Sequence, residues 1–313
     1  MALVVITGGA GFIGSNIAQA LVDRGDSVRV FDNFSSGRRA NLDALAGRVD
    51  VVEGDIRDRA ALDRAFAGAD FVFHEAALPS VARSITDPVT SHDVNVNGTL
   101  NVLEAARKAG VKRVVYAASS SVYGETPVLP KVETMTPDPI SPYGIGKLVG
   151  EQYGKVYTHV FGLPCVSLRY FNVFGPNQSP DNEYAAVIPK FITRMQGGVA
   201  PIVFGDGSQT RDFCYIDNVV QANLNALTAP DAPGHVYNIA CGERNSLLDL
   251  VGMINRALGS DLQAQHEPAR AGDIRDSLAD ITAARRDLGY TVPVPFEEGL
   301  RRAVAWYKVH PEG

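Results

Sequence analysis

A phenol and an ammonium four positions apart set the chemistry to look for. Tyr143 and Lys147 lie in the run Ser141-Pro142-Tyr143-Gly144-Ile145-Gly146-Lys147. Pro142 suits the first turn of a helix, because its φ is fixed there and its missing N–H is not needed. The spacing then places both side chains on one helical face. An ammonium a few ångströms from a phenol favours the phenolate, so a group whose ordinary pKa is about 10 can be drawn toward neutrality and serve as a base. On a solvated helix face the same pair would have no chemistry, and its meaning depends on what else converges on it.

A second constellation lies at the start of the chain. Leu3 to Thr7 is apolar and β-branched, as a strand buried on both faces requires, and runs into Gly8-Gly9-Ala10-Gly11-Phe12-Ile13-Gly14 before a helix-like stretch from Ser15 to Arg24. Gly9, Gly11 and Gly14 satisfy G-x-G-x-x-G, while Gly8, Gly11 and Gly14 satisfy G-x-x-G-x-x-G; either spacing lets bare backbone approach a pyrophosphate at a helix N-terminus. Ser27 to Phe31 reads as a second strand and delivers Asp32 eighteen positions after Gly14, where a carboxylate accepts from a ribose 2′-hydroxyl. Asp32 favours NAD by repelling a 2′-phosphate; Arg38 and Arg39 are near enough in sequence to meet one, so NADP stays open.

The elements that must position these residues alternate between strand and helix. Val49 to Glu53, ending in Gly54-Asp55-Ile56, and Phe71 to His74, ending in Ala76-Ala77, read as the third and fourth strands. A long helical stretch from Val89 to Ala109 follows, with Asn95 and Asn97 read as surface polarity. Lys112 to Ala117 is a fifth strand, which carries Ser119-Ser120-Ser121-Val122-Tyr123-Gly124 to the carboxyl edge of the sheet, where open α/β folds bind ligands. Leu163 to Arg169 is a sixth. Beyond Asn172, Pro176, Pro180, Pro189 and Pro201 mark shorter elements and more turns. A helix from Asp217 to Leu227, a strand from Val236 to Ala240 and a closing helix from Phe296 to Tyr307 complete the pattern.

The 313 residues carry 29 Lys plus Arg against 35 Asp plus Glu, so bulk charge predicts neither nucleic acid nor an anionic membrane as partner. Cys165, Cys214 and Cys241 are far apart and read as buried hydrophobes, and six scattered histidines predict no metal site. The opening apolar run has no basic leader, and no stretch approaches membrane-spanning length; a cytoplasmic location is expected.

Thr7-Gly8-Gly9-Ala10-Gly11-Phe12-Ile13-Gly14, Asp55-Ile56, His74 with Ala76-Ala77, Ser119 four residues before Tyr123-Gly124, Tyr143-x-x-x-Lys147, Arg169-Tyr170-Phe171-Asn172-Val173-Phe174-Gly175-Pro176 and Arg211-Asp212 together resemble the extended branch of the short-chain dehydrogenase/reductase superfamily, over nearly the whole chain. The resemblance implies an α/β fold: a Rossmann-type doubly wound parallel sheet over residues 1–172, with returning elements near 213–240, and a smaller C-terminal α/β lobe over 173–313 that binds a UDP-sugar. It implies Tyr143 as acid/base, Lys147 as the group that tunes it and holds the nicotinamide ribose, and Ser119 as the holder of the sugar hydroxyl. The implied NAD contacts are Gly8, Gly11, Phe12, Ile13, Gly14, Asp32, Asn33, Ser36, Gly37, Asp55, Ile56, Ala76, Ala77, Leu78, Asn97, Tyr143, Lys147 and Phe171. On the substrate side Arg211 and Arg270 would reach the pyrophosphate, Asp273 the uridine ribose and Asn172 the sugar–phosphate linkage. Ala186, Val187 and Phe204 would line the uridine site, with Gln178 and Ser277 also against the substrate. The family also implies a homodimer through the long stretch around Val89 to Ala109 and the helix holding Tyr143 and Lys147, with Leu100, Val102, Leu103, Val149, Tyr153 and Val156 as candidate apolar faces unless the first sheet buries some of them instead.

Dehydratases of this superfamily carry Asp-Glu after the residue matching Ser119, and its decarboxylases keep the glutamate; this chain has Ser120 and Ser121. The resemblance therefore implies reversible oxidation at C4 of a UDP-hexose, a 4-epimerisation in nucleotide-sugar and galactose metabolism. It is strongest to the epimerases of UDP-N-acetylhexosamines, through Arg83-Ser84, Tyr184 to Pro189, Arg211 to Tyr215 and Asp276 to Asp280. Ser277 stands where plain-hexose enzymes commonly carry a bulky tyrosine, and Pro79 replaces the glycine or lysine of the two groups. A UDP-glucuronate 4-epimerase remains the alternative, and a non-catalytic NAD(P)-sensing protein, which would typically lose Tyr or Lys, a further one.

Overall fold

The computed structural model describes residues 2–180, 186–268 and 275–310. The first half is a run of alternating strands and helices: β1 Leu3–Thr7, α1 Phe12–Arg24, β2 Ser27–Asp32, β3 Val49–Glu53, α2 Arg59–Ala65, β4 Phe71–His74, α3 Val81–Thr86, α4 Pro88–His92, α5 Thr99–Ala109, β5 Arg113–Ser119, α6 Pro142–Phe161 and β6 Cys165–Tyr170. The rest comprises β7 Val173–Phe174, α7 Val187–Gln196, β8 Ile202–Phe204, β9 Thr210–Arg211, β10 Cys214–Tyr215, α8 Ile216–Thr228, β11 Val236–Ile239, β12 Asn245–Ser246, α9 Leu247–Leu258, β13 Gln265–Glu267, α10 Thr282–Leu288 and α11 Phe296–Val309.

Seven strands form one parallel sheet in the order β11-β6-β5-β4-β1-β2-β3. The order reverses between β1 and β4, which opens a crevice at their carboxyl ends. Period-two alternation divides the β1 side chains between two cores. Val4 and Ile6 pack on the face shared with α1 and α8, and Val5 packs with Leu62, Val102 and Leu103 under α2 and α5. The remaining strands form two-stranded pairs, β10 with β7, β12 with β9 and β13 with β8, while β11 returns to the main sheet beside β6.

The expected single helix from Val89 to Ala109 is instead two helices joined by a π-helical segment, Asp93–Gly98. Asn95, read as surface polarity, is buried there. Its Oδ1 accepts from Leu78 N–H at 2.8 Å, its Nδ2 donates to Leu78 C=O at 3.2 Å, and its own C=O accepts from Thr99 Oγ1 at 2.7 Å. A wide turn of this kind marks functional sites because it turns side chains that a regular helix would leave elsewhere.

Helix α6 starts as its sequence requires. Ser141 caps it through Gly144 N–H, 3.1 Å, and the Tyr143 N–H donates to buried Ser84 Oγ, also 3.1 Å. Two of the N–H groups orphaned at its N-terminus are thereby satisfied, and Tyr143 is fixed from its backbone outward. Further along, a Cβ on Gly150 would lie 2.3 Å from Tyr116 Oη, so glycine is what lets α6 approach β5. Among the described residues, no helix is long and apolar enough to cross a membrane.

Candidate active site

The glycine turn is built for an anion. Gly8 has φ of 71°, and a Cβ on Gly14 would come within 2.3 Å of Gly8 O, so backbone geometry alone demands glycine at both. Helix α1 begins at Gly11 with no side chain capping it, which leaves N-terminal N–H groups for a pyrophosphate. Phe12, Ile13 and Gly14 supply that first turn. Asp32 closes β2, buried, with Oδ2 accepting from Ala10 N at 2.9 Å and Oδ1 from Phe34 N at 2.8 Å, and Gly37 packs against it. Each oxygen keeps a lone pair for a ribose hydroxyl. Arg39 is engaged by Glu53 at 2.5 Å and lies 3.9 Å from the Phe34 ring, and Arg38 donates to Asn41. These residues fit a dinucleotide whose ribose carries a free 2′-hydroxyl.

Around this crevice Asp55 accepts from Asn33 at 2.9 Å and from Arg57, whose guanidinium holds its carboxyl well below the usual range. Ile56 and Leu78 are buried, and the Ala76–Leu78 segment hangs from Thr7 and Asn95. Ser36 is exposed. Asn97 is exposed, and its Nδ2 donates to Asp93 Oδ1 at 3.0 Å, while the buried asparagine of the pair is Asn95. The π-helical turn rotates one inward and the other out.

At the carboxyl end of β5 the three expected catalytic groups meet. Ser119 lies close enough to the Tyr143 phenol to lower its pKa, and its Oγ accepts from Ser121 Oγ at 2.9 Å and Ser121 N at 3.2 Å. Lys147 is buried, donates to Ala117 C=O at 2.7 Å and stands 5.8 Å from the centre of the Tyr143 ring. The expectation that the ammonium draws the phenol down is not met in this structure. Burial pushes the Tyr143 pKa up, with Ser119 pulling it down and Glu75 pushing it further up. Burial likewise pushes Lys147 down to about 8, against Glu75 and Glu151, which hold it up. His74, buried between Thr7 and Thr99, is pushed down to about 3 by burial and by Lys147, and is a neutral strut.

Just beyond β6, Asn172 takes φ of 33° and turns its amide onto Asp212 C=O, 3.0 Å, and Ser277 Oγ, 3.1 Å. Ser277 Oγ also accepts from Asp212 N–H, 3.2 Å. Asp212 itself is buried, accepts from the N–H groups of Cys241, Gly242 and Ala279, and is pushed up to about 6 by burial. Phe171 is buried, Gln178 donates to Val173 C=O, and among the described residues its buried Oε1 has no partner. Ala186 is exposed at the uncapped start of α7 beside Val187, Phe204 ends β8, and Arg211 donates to the carbonyls of Thr210 and Arg275. Arg270 and Asp273 lie outside the described residues.

Sequence reasoning passed over Ser84, Asn95 and Glu75. Glu75 follows β4 directly, with Oε1 accepting from Tyr170 Oη at 3.0 Å, and burial pushes it up to about 7. An ionisable residue at the end of a strand covered on both faces was the available signal.

The chain matches the family described as NAD dependent epimerase/dehydratase over residues 4–240. It is 37% identical over 312 residues to a UDP-glucose 4-epimerase of Mycolicibacterium smegmatis, covering 97% of this chain and 98% of that one. Its fold is similar, at a TM-score of 0.94 and 38% identity with 99% of each chain covered, to a UDP-N-acetylglucosamine 4-epimerase from Methanobrevibacter ruminantium solved with UDP-N-acetylmuramic acid. A UDP-glucuronic acid 4-epimerase from Bacillus cereus, solved with UDP-glucuronic acid and NAD, aligns at a TM-score of 0.91 and 32% identity over 98% of this chain and 99% of that one. The cofactor of this crevice is NAD, and the chain belongs to the NAD dependent epimerase/dehydratase family.

Proposed function

We propose that this protein is a UDP-hexose 4-epimerase that interconverts UDP-glucose with UDP-galactose and UDP-GlcNAc with UDP-GalNAc. The observation that carries the proposal is the meeting of Ser119, Tyr143 and Lys147 at the sheet edge beside the NAD crevice, with serines rather than an acid pair at 120 and 121. Bound NAD supplies reversible oxidation at sugar C4. Tyr143, as phenolate, takes the proton from the 4-hydroxyl and later returns one, Ser119 orients that hydroxyl, and Lys147 offsets the negative charge. The Asn172–Ser277–Asp212 cluster sits at the sugar end, and Arg211, Ala186, Val187 and Phe204 hold the UDP while the 4-keto sugar turns over. We assign residues 1–172, with 213–240, to the NAD-binding unit and the rest mainly to the UDP-sugar lobe. Incubating the purified protein with UDP-glucose, UDP-GlcNAc and UDP-glucuronate in turn, and separating the products, tests the proposal; turnover of the uronate alone would replace it by the uronate reading, for which the Bacillus cereus neighbour speaks.

Two further outcomes are expected. Denaturing the purified protein should release NAD(H); recovery of mainly NADP(H) would mean that Arg38 or Arg39 outweighs Asp32. Light scattering should give a dimer mass. Val102 and Leu103, two of the expected contact residues, are buried in the chain's own core, but Ile85 and Val89 on α3 and α4 and Ile145, Val156, Val160 and Phe161 on α6 are exposed. Such apolar side chains suit an isologous helix-to-helix contact. Charged substitutions at Val156 and Val160 should give monomers, and a monomeric wild type would remove the dimer from the proposal.

A further inference from the structure

The chain leaves β6 at Tyr170, which lies beside Ser119 in the register of the sheet, and by Pro176 it is bonded to α1, the helix that follows the glycine turn. Strands β5 and β4 stand between β6 and β1, so the stretch from Phe171 to Asn177 spans three strand spacings, about 14 Å, along the carboxyl edge. It runs on the α8 side of that edge: its β7 pairs with β10, and a Cβ on Gly175 would lie 2.6 Å from Ile216 Cγ2 at the start of α8. The crevice between β1 and β4 opens on the same edge and is bordered by this stretch. Asn172, Gly175 and Asn177 take φ of 33°, 151° and 68°. Asparagine enters that region more readily than most residues, and such a conformation persists only where its surroundings fix it.

At its far end the stretch is clasped to α1. Asn16 Nδ2 donates to Pro176 C=O at 3.1 Å while also donating to Phe12 C=O at 2.8 Å. Asn177 Nδ2 donates to Ser15 Oγ at 3.1 Å, and that buried hydroxyl donates to Phe12 C=O at 3.1 Å. Both bonds thus close on the turn of α1 whose N–H groups, from Phe12 to Gly14, are left for the pyrophosphate. Tyr307 Oη on α11 donates to Gln178 C=O and holds the stretch from behind. At the near end Asn172 C=O accepts from Cys214 N–H at 3.2 Å, so the stretch is a strap fastened at both ends.

We infer that Asn16 and Asn177 are the latch of the cofactor crevice: NAD passes in or out when the strap from Phe171 to Asn177 lifts from α1, and these two amides set how often it does. Phe171, one of the expected NAD contacts, is the strap's first residue, which puts the strap on the cofactor's path. Every partner in the latch is a protein group, so it closes with or without the dinucleotide. Loosening it raises the open fraction of both forms alike. Entry and release then quicken by the same factor while the dissociation constant stays nearly constant. The inference goes beyond the 4-epimerase proposal and bears on it in one respect: an NAD regenerated in each turnover has no need to leave, and the latch keeps NADH from escaping while the sugar is oxidised.

The test measures NAD traffic rather than turnover of sugar. NAD⁺-loaded protein, freed of excess by desalting, is mixed with an alcohol dehydrogenase and ethanol, which convert each released NAD⁺ to NADH; the rise in NADH absorbance gives the release rate, and equilibrium dialysis against NAD⁺ gives the dissociation constant. Asn16→Ala suits a helix interior and Asn177→Gly keeps the positive φ, so each removes its amide without straining the backbone. Either should release NAD⁺ about two- to tenfold faster than the wild type, and the double variant about ten- to a hundredfold faster, the worth of one and of two neutral hydrogen bonds, with little change in the dissociation constant. Asn177→Asp, whose carboxylate can accept from Ser15 Oγ, should fall between Asn177→Gly and the wild type. Release at the wild-type rate in the double variant overturns the inference. So does faster release matched by an equally weakened dissociation constant, which would place the loss in the bound cofactor's own contacts. Should one single variant fail to fold, the other is judged by the same two criteria. The measurement needs no sugar, so a protein that ignores every UDP-hexose would defeat the functional proposal while leaving the NAD release result to be read by itself.

Discussion

Replacing Tyr143 with phenylalanine is expected to lower kcat by about 10²–10⁴-fold, the usual worth of a positioned acid/base, while NAD retention and UDP affinity change little. The ring would keep its place, because what locates it is the backbone N–H on Ser84 and the cap at Ser141 rather than the hydroxyl. Only the proton acceptor is lost. Ser119→Ala should be milder, since a water or the neighbouring Ser121 hydroxyl, 2.9 Å from Ser119 Oγ, can take over part of the orientation. A Tyr143→Phe enzyme that keeps wild-type turnover would end the role given to Tyr143.

The second large effect is expected at Ser277. An acetamido group adds bulk at C2 that must fit in both orientations of the keto sugar, so the pocket has to be generous on both sides. A tyrosine there would fill the space with a ring, and overpacking of this kind costs about 1–3 kcal/mol, roughly ten- to a hundredfold in rate. Ser277→Tyr should therefore depress kcat/KM for UDP-GlcNAc and UDP-GalNAc selectively. The hydrogen bonds that Ser277 Oγ accepts from Asn172 and Asp212 complicate the substitution, because tyrosine would abandon both donors. Ser277→Ala removes the acceptor without adding volume, and comparing the two variants separates lost anchoring from lost space. If Ser277→Tyr depresses both substrate pairs equally, or the wild type ignores UDP-GlcNAc, the gate lies elsewhere, and Pro79 is the next position to change.

Features with a local physical origin could be read along the chain. A β-branched run into glycines, a carboxylate at the end of the second strand and a proline-initiated helix each carry their meaning within a few residues, and β1, β2 and α6 follow those signals closely. What sequence reading missed depends on partners far away in the chain. Periodicity carried a single helix through 89–109, but Asn95 bonds the backbone of Leu78 and the helix widens there. Val102 and Leu103 could equally have faced a partner or the sheet, because nothing local reveals that α2 and the sheet already cover them. Glu75 drew no reading, because the residue that holds it, Tyr170, lies 95 residues later. The Lys147 ammonium was expected to govern the Tyr143 pKa, and burial of the phenol outweighs it.

The return of β11 to the main sheet has a consequence for any attempt to cut this molecule in two. Tyr170, at the end of β6, is paired with Ile239 of β11, so a fragment stopping at residue 172 would end on a strand whose outer hydrogen-bonding groups have lost their mate. Strand β6 is buried along its whole length, and stripped of β11 and α8 it would present a bare apolar margin that recruits other copies of itself. A fragment that keeps the seven-stranded sheet whole would need the later segment carrying α8 and β11 grafted on behind a linker.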